Sequence, residues 1–344
     1  MSCPSVAFFN NKGGVGKTSL VYHQSWMYAD LGAKVLVADF DPQANLTAAF
    51  LDEERLEELW SPETGSPKTV YGAIEPIVKG VGDIVDDPHL EEVDDRITLL
   101  PGDLSLARFE DDLSQQWPIC LDGKERAFRI VSAFWRLLQR SAAQADADFA
   151  LVDLGPNLGA INRAGLVASD HLVVPLAPDL FSLQGLRNLG PTVRDWRKAW
   201  QERLAKVPSD AADLDLPEGS MEPAGYVVLR QAVRLDRPVK AYERWVQRVP
   251  STYAKSVLGR PSEPGLTFTE DPECLGLLKH YHSLMPLAQE ARKPIFHLKP
   301  ADGAIGAHAK AAEGARQDFE SLARTIAERC GLPVTLPPPA GGSD

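Results

Sequence analysis

The sequence predicts an α/β protein on a doubly wound, mostly parallel sheet flanked by helices, with helical and loop insertions. Three observations predict it. Short apolar runs bounded by turn signals recur along the chain, helical segments lie between them, and the first run passes through a glycine-rich turn straight into a helix. The runs are VAFF (6–9), KVLVADF (34–40), ITLL (97–100), FALVDL (149–154), HLVVPL (171–176) and GYVVL (225–229). Several are apolar at successive positions, as strands buried on both faces of a parallel sheet are. Residues 17–31 and 125–142 read as helices between them.

Length and composition set the scale. With 344 residues, 44% of them hydrophobic, the chain can bury a large core. Residues 1–330 are expected to form one domain with insertions near 52–95 and 207–285, followed by a flexible Pro/Gly-rich tail at 331–344. The stretch 52–95 is rich in Asp and Glu and reads as an exposed surface excursion. Residues 207–223 read as a polar, Pro-containing loop. A net charge of -12 argues against a protein that coats nucleic acid over its whole surface, while leaving room for a local basic patch. Cys3, Cys120, Cys274 and Cys330 contain no C-x-x-C pair, which points to reduced thiols rather than a disulfide scaffold or a zinc site. Neither a signal peptide nor an apolar stretch of membrane-spanning length is apparent, so a cytoplasmic protein is expected.

The chemistry is concentrated in FFNNKGGVGKTSLV, residues 8–21. A strand, a glycine-rich turn and a helix from Lys17 make the context of a phosphate-binding loop. Gly13, Gly14, Val15, Gly16, Lys17, Thr18 and Ser19 are the candidate cradle. Lys17 is placed on the β and γ phosphates, and Thr18 offers its hydroxyl to Mg²⁺. The usual pattern, G-x-x-x-x-G-K-[ST], is broken by Asn11 where the first glycine belongs, and a second lysine, Lys12, comes directly after it.

K-G-G-V-G-K-T, Lys12 to Thr18, resembles the deviant Walker A loop of the ParA/MinD (Soj-like) family of P-loop ATPases. In that family the first lysine reaches across a dimer interface to the partner's ATP, so the resemblance implies that role for Lys12 and a homodimer with ATP. VLVADFDPQANLTAAF (35–50) is similar to the family's second motif, implying Asp39 near the metal shell and Asp41 as the residue that positions the attacking water. Residues 148–186 resemble the Walker B strand together with the segment after it, implying Asp153 as a Mg²⁺ ligand, through water. Residues 99–113 and 287–311 also resemble family segments, the latter where relatives place a loop over the nucleotide base. One departure stands out. Relatives usually carry D-x-P-P after the Walker B strand, whereas this chain has Asp153, Leu154, Gly155, Pro156. Gly155 brings a free N–H to the γ-phosphate that proline cannot supply.

A basic helix is expected over 234–256, with Asp236 as N-cap and Pro250 ending the pattern. At about 100° per residue, Arg237, Lys240, Arg244 and Arg248 share an arc opposite Val239, Tyr242, Trp245, Val246 and Val249. Such a row suits sequence-independent contact with DNA phosphates; Arg194, Arg197, Lys198 and Arg203 make a second, weaker row. The leading expectation is a ParA-like, Mg²⁺-dependent ATP hydrolase of DNA or cargo partitioning. It would dimerise on ATP, associate with the nucleoid by binding DNA nonspecifically, and be reset by a ParB-like or other stimulating protein. The alternatives are an ATP-dependent metabolic synthetase, a protein-partner switch without DNA binding, and a MinD-type membrane-positioning relative, for which the tail offers no basic amphipathic helix.

Overall fold

Alternation along the strands divides the core in two. Val6 and Phe8 face one side of the sheet with Val35, Val37 and Leu151, while Ala7, Phe9, Leu36, Ala38 and Val152 face the other. Both sides are buried, as a parallel sheet covered on two faces requires. The protein was analysed as a computed structural model that describes residues 2–61, 68–209, 214–229, 245–263, 265–279, 281, 284–335 and 337.

In chain order the elements are β1 (Ser5–Phe8), α1 (Lys17–Asp30), β2 (Val35–Asp39), α2 (Asn45–Phe50), α3 (Glu53–Trp60), α4 (Val70–Val78), β3 (Glu91–Asp94) and β4 (Ile97–Leu100). They continue with α5 (Phe109–Ile119), α6 (Glu125–Val131), α7 (Ala133–Gln144), β5 (Phe149–Asp153), α8 (Ala160–Val167), β6 (His171–Leu176), α9 (Leu180–Leu204) and β7 (Glu222–Leu229). A helix at Val249–Ser256, β8 (Cys274–Leu278), a helix at Met285–Ala291 and the C-terminal helix Ala307–Cys330 complete the order. The sheet order is β3-β4-β2-β5-β1-β6-β7-β8, parallel throughout except for the antiparallel β3–β4 pair at one edge. The predicted fold class is therefore the one observed. No described helix is long and apolar enough to cross a membrane.

The structure departs from the sequence reading in four places. The helix expected over 125–142 breaks at Ser132 into α6 and α7. The acid-rich stretch 52–95 is not merely a surface excursion: α4 buries Val70, Tyr71, Ala73, Ile74 and Ile77, and Asp83 accepts from Arg136 at 2.8 Å. Its arginine partners hold the Asp83 carboxyl down to about 2 against the burial that raises it. β3 and β8 join the sheet without a clear strand signal, one being an acidic edge strand and the other a short run interrupted by Gly276. Pro250 does not close a helix; it stands in the first turn of Val249–Ser256, where its missing N–H costs nothing.

Candidate functional site

The parallel register brings the C-terminal ends of β1, β2 and β5 together, with Phe8 and Asp39 each beside Asp153. Above them the chain leaves β1, makes the glycine-rich turn and enters α1. Gly14 (φ 70°) and Gly16 (φ 83°) adopt left-handed backbone that a side chain would oppose, and this sets the curl of the loop. Asn10 braces it: its side-chain amide donates to the Pro175 carbonyl at 2.7 Å, and its oxygen accepts from the Lys12 N–H at 3.0 Å. α9 packs tightly on this brace, since a Cβ on Gly185 would come 2.9 Å from the Asn11 side-chain oxygen. Asn11 and Gly185 thus meet where the usual loop has its first glycine.

Next to the loop lies a cavity of about 740 Å³. Gly13, Gly14, Gly16, Lys17, Thr18 and Ser19 form its floor, Asp41, Gln43 and Pro156 one side, and Met285, Gln289, Arg292 and Lys293 the far wall. A smaller cavity of about 210 Å³ shares Gly14, Gly16, Ser19 and His23 and is otherwise largely apolar, with Leu229, Leu278, Tyr281, Met285 and Ile295. A groove of about 840 Å³ also exists near Lys34, Asp94 and Arg96, at the opposite end of the strands from the glycine-rich loop, Asp39 and Asp153.

The buried charges beneath the loop are unevenly satisfied. Asp39 is fully buried, and one of its oxygens accepts from the Thr47 N–H (2.8 Å) and hydroxyl (2.7 Å), the other from the Asp41 N–H (3.2 Å). Burial still pushes it up to about 6. Asp153 is also fully buried, but neither of its oxygens has a hydrogen-bond partner among the described residues. Burial, then the neighbouring Asp39, raise its carboxyl well above the usual range, while Thr18 and Lys17 lie near enough to pull it back. Lys17 is 6% exposed; its ammonium reaches only the Lys12 carbonyl at 3.5 Å, and burial lowers its pKa against the pull of Asp153 and Asp41. A buried carboxyl whose oxygens lack hydrogen bonds, near a buried ammonium that reaches only one carbonyl, leaves polar capacity that a cation and an anion would meet. Thr18, Lys17 and Asp153 therefore fit a divalent cation bound with a phosphate.

The expected site residues fall into three groups. The phosphate loop, Asp41, Asp153 and Gly155 converge. Asp39 joins them, but with both oxygens already engaged, so Asp153 is the carboxylate with lone pairs to spare. Asp41 is 6% exposed and accepts from the Gln43 N–H at 3.0 Å. A Cβ on Gly155 would stand 3.1 Å from an Asp41 oxygen, so the glycine gives that carboxylate room. Lys12 is absent from the lining of its own cavity; its ammonium is paired with Asp179, the N-cap of α9, and lies 5.9 Å from the Phe181 ring. Three further residues carry no local signal in the sequence: Thr47, which holds Asp39; Glu110, which accepts from the Ala160 (2.6 Å) and Ile161 (2.8 Å) N–H groups; and Asn162, which donates to the Gly155 carbonyl at 3.1 Å.

Only the second basic row can be followed through the described residues. Arg237, Lys240 and Arg244 lie outside the described residues. Arg248 sits 5.3 Å from the Trp245 ring. In the second row, Arg194 donates to the Ser256 and Val257 carbonyls, Arg197 to the Met221 carbonyl, and Arg203 to the Trp117 and Ala199 carbonyls. Lys198 and Arg194 remain exposed, while Arg197 is half-buried and Arg203 buried. The C-terminal half of α9 spends its cations on tying neighbouring segments to itself.

Residues 4–206 match the model of the AAA domain family, more than half of the chain. The chain belongs to that family, in the ParA/MinD group of P-loop ATPases. It is 29% identical over 189 residues to the sporulation initiation inhibitor protein Soj of Bacillus subtilis, a match covering 55% of this chain and 64% of Soj. The chain spans less than two thirds of the length of the curated relatives it matches first. Among solved structures, a Corynebacterium diphtheriae protein superposes with a TM-score of 0.69 at 24% identity, over 95% of this chain and 98% of that one. The ATP complex of a Cyanothece McdA variant superposes with a TM-score of 0.61 at 15% identity, over 98% and 99%. These two likenesses show the shared fold, and the family assignment rests on the sequence match.

Proposed function

We propose that this chain is an ATP-driven switch of partitioning or positioning. In this reading it binds ATP with Mg²⁺ in the 740 Å³ cavity, pairs with a second copy across the nucleotide, holds DNA nonspecifically while paired, and is released by slow hydrolysis that a ParB-like or other protein accelerates. The observation that carries the reading is the unpartnered Asp153 carboxylate beside Thr18 and Lys17 under the glycine-rich loop. Thr18 and Asp153 would hold Mg²⁺, which when bound neutralises charge shared by the β and γ phosphates.

The chain's own groups do the rest. Backbone N–H groups of the loop and the N-terminus of α1 receive phosphate oxygens, and Lys17 supplies the fixed cation. Asp41 orients the attacking water, and Gly155 leaves it space and offers a backbone N–H on the γ-phosphate side. Lys12, held outside its own cavity, is suited to a partner's phosphates, and the exchange of Asp179 for those phosphates would couple nucleotide to pairing. The largely apolar 210 Å³ cavity suits a purine base. DNA contact is assigned to Arg237, Lys240, Arg244 and Arg248.

The test is binding to a random-sequence duplex with Mg-ATP, Mg-ADP or no nucleotide, across a salt series, beside Lys12→Ala and a quadruple alanine variant of the basic row. Salt-sensitive binding that needs ATP and is lost in both variants supports the reading. ATP-dependent pairing without any DNA binding removes the DNA step and moves the search to a protein partner.

A further inference from the structure

The far wall of the cavity carries a cation that the family motifs do not account for. The helix Met285–Ala291 ends at Arg292, whose backbone is left-handed (φ 47°, ψ 46°), and the Lys293 N–H closes the corner on the Ala288 carbonyl at 3.1 Å. Glycine is the residue that such a helix end favours, because any Cβ there is strained. The strain is retained at a residue that lines the cavity together with Lys17, Thr18 and Ser19. Held backbone strain of this kind is a pointer to function when it places a side chain at a ligand.

The corner itself is anchored. Lys293 donates to both oxygens of Asp302, at 2.8 and 3.0 Å, so the cation next to Arg292 is already matched. The Arg292 side chain, by contrast, is exposed and makes no hydrogen bond or ion pair with another described residue. Arg292 also lies near enough to Tyr22 to draw its phenol down, against burial that pushes it up to about 12. Tyr22 is one turn further along α1 than Thr18 and Ser19, away from the Asp153 end of the site. A planar guanidinium on an exposed residue that lines the same cavity as a phosphate loop matches phosphate oxygens in a way that an ammonium does not.

We infer that Arg292 binds the α and β phosphates of the nucleotide, closing the site from the C-terminal wall. The inference rests on the reading of this cavity as a nucleotide site. It makes Arg292 the group that lets the C-terminal segment register an occupied cavity, and it assigns the γ-phosphate to Lys17 and the Asp153 side alone.

Calorimetric titration of the full chain with Mg-ATP and with Mg-ADP, for wild type, Arg292→Gly and Arg292→Lys, tests it. Arg292→Gly removes the guanidinium while easing the left-handed backbone. It is expected to weaken both nucleotides about tenfold or more, with a melting temperature no lower than wild type. Arg292→Lys is expected to recover part of the affinity while melting lower than Arg292→Gly, which a purely structural role would not produce. Wild-type affinity in Arg292→Gly overturns the inference and leaves the cavity reading standing. A loss confined to Mg-ATP moves the contact to the γ-phosphate and overturns the assignment to the α and β phosphates. Failure of the wild type to bind either nucleotide overturns both the inference and the cavity reading.

Discussion

The C-terminal ends of β2 and β5 are adjacent and in register, and each carries a fully buried aspartate, yet the two positions do different work. At β2, Asp39 gives its oxygens to Thr47 and Asp41 and so fastens the start of α2 to the sheet. At β5, Asp153 gives its oxygens to nothing in the described chain. The same residue type, at the same depth on neighbouring strands, thus has its oxygens engaged in one case and without hydrogen-bond partners among the described residues in the other, which is the difference on which the proposed cation role of Asp153 rests.

The sharpest way to break this comparison is Asp153→Asn. It is expected to lower Mg²⁺-dependent ATP hydrolysis about a thousandfold, ~4 kcal/mol in barrier, while leaving the melting temperature equal or higher because a lone buried charge is gone. Steady-state hydrolysis and a thermal melt of the same preparation check both halves. Asp39→Ala should do the reverse. Loss of its bonds to Thr47 and Asp41 is expected to cost about 3 kcal/mol of stability in a denaturant titration, with any fall in hydrolysis arising from disorder at α2.

A similar magnitude is expected from His23, which lies between the two cavities with one ring nitrogen 2.7 Å from the Ser19 carbonyl and the other unpartnered. Burial pushes it down to about 4 from 6.5, so the unfolded chain binds the proton more tightly between those values. Its contribution is therefore present above pH 6.5 and is lost as pH falls through 4, by about 3 kcal/mol in all. Asp39, pushed up to about 6, acts with the opposite sign: the folded chain holds that proton more tightly, and stability from this group is lost as pH rises from 3.8 through 6. Asp153, raised in the same direction as Asp39, adds to that fall, so the wild type is expected to lose stability as pH rises from 4 to 6. In His23→Phe the fall should steepen, and in Asp39→Ala it should become shallower. Denaturant titrations at pH 4.5 and 6.5 distinguish these. The smallest effect is that of Thr47→Val, about 2 kcal/mol, since the hydroxyl's bond to Asp39 and the bond it accepts from the Gly102 N–H at 2.8 Å are lost while the Thr47 N–H bond to Asp39 remains.

Much of this site could be read along the chain, because its floor is local. Lys12 to Thr18 and the strand ends at Asp39 and Asp153 are short, contiguous signals whose geometry is set by strand, turn and helix. Glu110 and Arg292 could not be read so, because each acts on a segment far away in sequence, and Thr47 and Asn162, though only eight and seven residues from Asp39 and Gly155, reach them through the turn that follows each strand rather than through a motif. The nearness in sequence that grouped Arg194, Arg197, Lys198 and Arg203 carried no information about carbonyls brought up from residues 117, 221 and 256. The acid-rich stretch concealed α4 for a related reason: flanking charge drew attention away from Val70, Tyr71, Ile74 and Ile77, whose helical spacing is the core signal.

The measurement that bears most directly on the separation of the two aspartates is ATP affinity with and without Mg²⁺, in wild type and in Asp153→Asn. Mg²⁺ should strengthen ATP binding about tenfold or more in the wild type and leave it unchanged in the variant. Equal strengthening by Mg²⁺ in both would contradict the assignment of Asp153 as the carboxylate kept free for the cation.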